Sequence, residues 1–178
     1  MNKTCISVLI LISSLGLLPL QARDNDNQQV SDKTGVYALT DVHYSNDKLQ
    51  LGNSLGIGLY KNFRLVKTLY YQPEVAYHIV NGTGSERQTE INIVPLQMQF
   101  GLHLGLARPF IGAGLRCNFA IDARDEQGQD LDLGSLDKRW SYNWYWGCGI
   151  DFINTLQVFY RQDFQSNANQ QIGISFIF

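Results

Sequence analysis

The chain has 178 residues and a formal net charge of −2, which fits a single domain. It contains no Lys/Arg-rich tract, so no nucleic-acid partner is expected. Sixteen Gly against four Pro favour strands and tight turns, and no stretch beyond the first twenty residues reaches the roughly 18 apolar residues of a membrane-spanning helix.

The N-terminus reads as a secretory signal over residues 1–22. Lys3 supplies the positive start and residues 6–18 an apolar core, closed by Pro19. Ala22 suits the position before a cleavage site, although Leu20 is larger than ideal two residues earlier. Cys5 precedes the apolar core, where a lipoprotein cysteine cannot lie. Residues 23–34 are polar and aperiodic and are expected to form a flexible periplasmic leader.

From Gly35 to Phe178 the dominant period is two, the signature of strands. Eight segments follow from it: 36–44, 49–60, 66–80, 89–104, 109–121, 139–152, 156–164 and 170–178. Each is long enough for a tilted strand to cross a bilayer. Short connections are expected at 61–65, 105–108 and 153–155. Longer polar ones are expected at 81–88 and 122–138. Short turns at one end and longer loops at the other are the asymmetry of outer-membrane barrels, and they place both termini on the periplasmic side.

The later segments sort into two faces. Ile111, Ala113, Leu115, Cys117, Phe119 and Ile121 oppose Gly112, Gly114, Arg116 and Asn118. Trp140, Tyr142, Trp144, Trp146, Cys148 and Ile150 oppose Ser141, Asn143, Tyr145, Gly147, Gly149 and Asp151. Ile172, Ile174, Phe176 and Phe178 share the outer face of the last segment. One face is bulky and apolar; the other mixes Gly, amides and charges. A soluble lipocalin-like binder would turn the bulky face inward and leave costly Gly on its surface. A membrane barrel turns it to lipid and fills a narrow lumen with small and polar groups. The expected fold is therefore an all-β, eight-stranded, antiparallel, up-and-down transmembrane β-barrel over residues 35–178, surrounded by outer-membrane lipid of a diderm bacterium. Trp140 and Tyr142 would mark the outer aromatic girdle, and Phe152, Phe176 and Phe178 the periplasmic one.

Three segments carry a family likeness: LYYQPEVAYHI (69–79), INIVPLQMQFGLHLG (91–105) and RPFIGAGLRCNFAI (108–121). Together they resemble the outer-membrane β-barrel domain family typified by PorT. The resemblance implies an outer-membrane barrel with a non-enzymatic structural or accessory role, in secretion or envelope assembly, and a possible partner in such a complex. It brings no catalytic constellation and no cofactor. The final IGISFIF is similar to the terminal signal that barrel-assembly machinery reads, which assigns that role to Ile172, Ile174, Phe176 and Phe178.

The expected lumen collects Asp41, His43, Glu74, His78, His103, Arg116, Arg161 and Asp163. A charge in a narrow interior must be paired or hydrated. The expectation is a structural network of Glu74, Arg116, Arg161 and Asp163, with Glu74 bridging one or both arginines. The spacing of the histidines and of the acidic residues in 122–137 matches neither a zinc nor a calcium pattern. His78 with Ser85 and Glu86 could imitate a nucleophile set near the outer rim, which keeps a lipid-modifying enzyme open as a rival. A small pore is a nearer rival. Cys117 and Cys148 share a face, so a cross-strand disulfide stays open beside two small wall residues.

Overall fold

A computed structural model describes residues 33–45, 48–82, 85–153, 155–164 and 169–178, with the side chains of 43–49 outside that description. The expected signal, most of the leader and the His43 side chain fall outside the described residues. Lys33 and Thr34, assigned to the leader by their polarity, already belong to the first strand, where Thr34 pairs with Lys61.

Ten strands are formed: β1 (Lys33–Ser45), β2 (Lys48–Leu51), β3 (Ser54–Val66), β4 (Leu69–Tyr71), β5 (Glu74–Asn81), β6 (Arg87–Gly101), β7 (Ala107–Arg124), β8 (Trp140–Phe152), β9 (Leu156–Asp163) and β10 (Gln170–Ile177). One 3₁₀ turn, Leu136–Arg139, precedes β8. Every pairing is antiparallel. From β10 the ladder runs through β9, β8, β7 and β6 to β5 and β4, then to β3, and β1 pairs with both β3 and β10. The ladder thus returns to its first strand. Phe178 and Thr34 exchange backbone hydrogen bonds at the seam, 2.8 and 3.2 Å long.

The strand count exceeds the expected eight because two of the expected segments are interrupted. Gly52 and Asn53 separate β2 from β3, and Gln72 and Pro73 separate β4 from β5. Proline has no N–H to give a ladder, so a break at Pro73 is the local consequence. Neighbouring strands bridge the gap: Gln72 N–H donates to Gln97 O at 2.9 Å and Lys61 N–H to Pro73 O at 3.2 Å. Pro95 sits beside this break in a register shift of β6 between Ile93 and Leu96, and its carbonyl accepts from the Tyr71 hydroxyl at 2.8 Å. The turn expected at 61–65 lies instead at Lys67–Thr68. Asn62 and Phe63 remain extended because each has a cross-strand partner, Lys33 and Tyr71.

Burial alternates as the sequence demands, and its sense is inverted relative to a soluble protein. Leu55, Ile57 and Leu59 are exposed along β3, Ile111 on β7, Trp144 on β8, and Ile174, Phe176 and Phe178 at the C-terminus. Gln72, Glu74, Gln97, Gln99, Arg116, Gln157, Arg161 and Ser175 are buried. Water gains nothing from a wall of this kind. An apolar solvent does, since each buried aliphatic side chain is worth about 1.5–3 kcal/mol when removed from water.

Candidate functional site

Among the described residues, the interior gathers chemistry from distant segments, and its strand pairings explain how. At the end that holds the short turns, aromatic rings lie across from glycines of the neighbouring strand. Tyr37 faces Gly58, Tyr60 faces Gly35, Phe110 faces Gly149, Tyr145 faces Gly114 and Phe159 faces Gly173. A Cβ on Gly58 would lie 2.5 Å from the Tyr37 ring, and one on Gly173 would lie inside contact distance of the Phe159 ring. The glycines on the polar face are therefore floors for rings. Tyr37, Tyr60, Phe110 and Phe159 form one buried cluster with Leu39, Ala76 and Ile177.

Two ion pairs are set among these rings. Arg161 Nη2 meets Glu74 Oε1 at 2.6 Å, and the Gln72 amide donates to the same oxygen at 2.7 Å. The Arg161 guanidinium also lies 4.5 Å from the Phe159 ring centre and 5.4 Å from those of Tyr37 and Tyr145, a cation–π arrangement that replaces part of its lost hydration. Nearer the turns, Arg108 binds Asp151, which also accepts from Gln157 at 2.7 Å, and Arg108 stacks 4.1 Å over Tyr70. Between the two pairs, the space bounded by Gln97, Gln99, Tyr145, Gln157 and Arg161 is about 10 Å³, room for about one water.

Toward the loops the interior changes. Arg116 grips Asp163 with both carboxylate oxygens, at 2.6 and 2.8 Å, and donates to Gln171 at 2.8 Å. Gln171 in turn donates to Asp41 at 3.1 Å. His78 Nδ1 lies 3.2 Å from Glu90 Oε1. All of these groups except Asp163 border a polar cavity of about 260 Å³.

The four residues expected to form one network thus form two separate pairs. Glu74 bridges Arg161 alone, and Arg116 takes Asp163. The reason is height in the interior: Glu74 opens β5, whereas Arg116 lies well along β7 toward the loops. His78 does not sit at the rim with Ser85 and Glu86. It is buried and engaged by Glu90, while Ser85 and Glu86 are exposed. His103, expected in the lumen, lies beyond the end of β6 and accepts or donates one hydrogen bond with the Tyr70 hydroxyl, at 2.7 Å. Burial, together with the nearby charges of Arg108, Arg64 and Lys33, holds its imidazole below the ordinary value of 6.5. Cys117 pairs with Tyr142 and Cys148 with Ile111, about 20 Å apart along β8 at ~3.3 Å per residue, so no disulfide joins them. Among the described residues, no three His, Cys, Asp or Glu side chains gather as metal ligands.

Sequence reasoning missed Arg108 and Glu90 as interior charges. Arg108 was placed in a turn, yet Asp151 on the inward face of β8 signalled the need for a cation. Glu90 faces His78 directly in the β5–β6 ladder, a register that the sequence does not display.

Comparison with known proteins gives a fold and no family. No protein-family model matches the chain, including one that would support the PorT likeness. No curated protein matches it either. Solved structures do match. Neisserial surface protein A (NspA) superposes with a TM-score of 0.54 at 14% identity, over 82% of this chain and 96% of that one. The outer-membrane enzyme PagL gives 0.54 at 15% identity, over 80% and 98%. Ail, the attachment invasion locus protein of Yersinia pestis, gives 0.50 at 14% identity, over 83% and 97%. The fold is that of outer-membrane β-barrel proteins, a group in which an enzyme and a surface protein share one architecture.

Proposed function

We propose that the chain is an outer-membrane β-barrel with a closed lumen and a non-enzymatic structural or accessory role in the cell envelope. In this reading β2 with β3, and β4 with β5, are single interrupted strands, which makes an eight-stranded up-and-down wall. The observation that carries it is the inverted sidedness: apolar side chains outward on β3, β7, β8 and β10, with paired charges inside. Lipid is the partner that such an outer face requires. The exposed Ile174, Phe176 and Phe178, with Ile172 on the same face, are available to barrel-assembly machinery at the turn end. An export signal over residues 1–22, periplasmic termini and kinship with PorT belong to the same proposal, as does an accessory role in secretion.

The packing of the interior favours this over a pore. An eight-stranded barrel has an interior that side chains fill. Here Arg161, Glu74, Tyr145 and Phe159 fill the part on the turn side of the loop-end cavity, and the space left beside them suits a single water. The catalytic rival loses its local support, because His78 is turned to Glu90. Two measurements test the proposal. Membranes washed with carbonate are expected to retain the protein until detergent is added, and release without detergent overturns the membrane reading. Purified protein in planar bilayers is expected to give no stable conductance steps, and reproducible steps overturn the closed lumen.

A further inference from the structure

Charge is divided unequally between the two ends of the interior. The segments that meet at the turn end are residues 33–36, 60–73, 99–109, 150–157 and 174–178. Asp151 is their one acidic side chain, against Lys33, Lys61, Arg64, Lys67 and Arg108. The loop between β7 and β8 has the opposite excess, with Asp125, Glu126, Asp130, Asp132 and Asp137 against Lys138 and Arg139.

Three of the turn-end cations gather on the inner face, and Tyr70 is where they meet. Arg64 stands directly opposite Tyr70 in the ladder of β3 and β4. The Arg108 guanidinium lies 4.1 Å over the Tyr70 ring, and His103 shares a 2.7 Å hydrogen bond with the Tyr70 hydroxyl. Lys33 stands opposite Asn62, two residues before Arg64 on β3, and lies within electrostatic reach of Arg108 and Asp151. Only Arg108 is neutralised, because it holds Asp151. Among the described residues, neither Lys33 nor Arg64 forms an ion pair with a carboxylate. Arg64 Nε makes one long hydrogen bond, to Val66 O at 3.4 Å. The Phe178 backbone oxygen at the same rim accepts from Thr34 N–H at 3.2 Å. Lys33 and Arg64 are half-buried and His103 is exposed, so the excess charge is open to solvent. His103 registers that excess: beside burial, the charges of Arg108, Arg64 and Lys33 disfavour its protonated form.

We infer that this turn-end mouth binds a phosphate group, held by the Lys33 ammonium and the Arg64 guanidinium with His103 at its edge. A guanidinium fork matches two phosphate oxygens, and an ammonium adds a mobile point charge. A phosphate monoester brings about two negative charges and three acceptor oxygens near neutral pH. A single carboxylate would leave one of the two cations unmet, and an amine or a divalent metal would be repelled. The phosphate can come from a soluble monoester or from a lipid headgroup, since the rim of a membrane barrel lies at headgroup level. The inference goes beyond the proposed structural role and stands on the turn-end geometry alone.

The test is calorimetric titration of the full-length protein in uncharged detergent micelles, at low salt and about pH 7.5. Probes are glycerol 3-phosphate, dihexanoylphosphatidic acid and succinate, each titrated alone, with empty micelles as the blank. Saturable binding is expected for both phosphates, with succinate weaker than either. Lys33→Gln and Arg64→Gln are each expected to weaken phosphate binding about tenfold. Lys138→Gln, at the loop end, is expected to bind as the parent does. Phosphatidic acid that binds about tenfold tighter than glycerol 3-phosphate assigns the site to a headgroup; a smaller difference assigns it to a soluble monoester. Heat-modifiable gel mobility establishes that each variant is folded, and either rim variant alone carries the test. Absence of saturable binding by both phosphates overturns the inference. So does phosphate binding that the folded rim variants retain in full, or succinate binding as tight as that of the phosphates.

Discussion

The two ends of the interior are built from the same strands with the same alternation, yet one is solid and the other hollow. At the turn end, inward positions pair a ring with a glycine, as at Phe159 and Gly173 or Tyr37 and Gly58. The ring lies flat over the space that the missing side chain leaves, and the volume closes. At the loop end, inward positions pair polar with polar: Asn118 with Ser141, Arg116 with Asn143, Asp41 with Gln171. Such pairs satisfy each other in part and leave room. Filling a narrow barrel is thus decided by which residue stands across the ladder, more than by how polar the inward face is.

That contrast can be broken most forcefully at the solid end. Glu74→Gln leaves the Arg161 guanidinium buried without its anion, and a loss of about 3–5 kcal/mol is expected. Urea unfolding in detergent, followed by gel mobility, measures it; a midpoint equal to that of the parent would falsify the claim that this pair holds the interior. Gly173→Ala drives a methyl into the Phe159 ring and is expected to cost about 1–3 kcal/mol. Combining it with Phe159→Leu should recover part of that loss, and strict additivity of the two changes would refute the ring-on-glycine account.

The hollow end should tolerate more. Asn118→Ala removes a 3.3 Å hydrogen bond beside a cavity that water can enter, so a loss of no more than about 1 kcal/mol is expected. A loss as large as that for Glu74→Gln would mean that the two ends are equally rigid. The smallest effect concerns His103, outside both regions. Its imidazole is held below 6.5, so the unfolded chain takes up the proton first as pH falls. The stabilisation from this group is present above pH 6.5 and is lost as pH falls through that value toward the folded one. His103→Asn should flatten the slope of the unfolding midpoint between about pH 7 and pH 5.

Much of the wall was legible in the sequence. The opposition of Ile111 to Arg116 and of Trp144 to Tyr145 placed each on the face where the structure has it, because a strand alternates whatever its neighbours do. The end of β8 at Phe152 and the start of β9 at Leu156 were legible too. The turn at Lys67–Thr68 was not. Polar residues end an apolar run in sequence, but Asn62 and Phe63 stay in the ladder when partners stand opposite them.

The site was less legible than the wall. Sequence alone identified Glu74, Arg116, Arg161 and Asp163 as interior charges, since inward position follows from a period of two. It could not say that Arg161 takes Glu74 across 87 positions of chain or that Arg116 takes Asp163. Partner choice depends on register and on height in the barrel, and both are set by the whole ladder as it closes from β1 to β10. By itself, then, the sequence determined a strand-built wall with an apolar outer face and a charged inner one. Only the tertiary structure decided which charges neutralise each other, where rings close the lumen and where a polar cavity stays open. Alternation is a local property of each strand, whereas pairing and filling belong to the closed sheet.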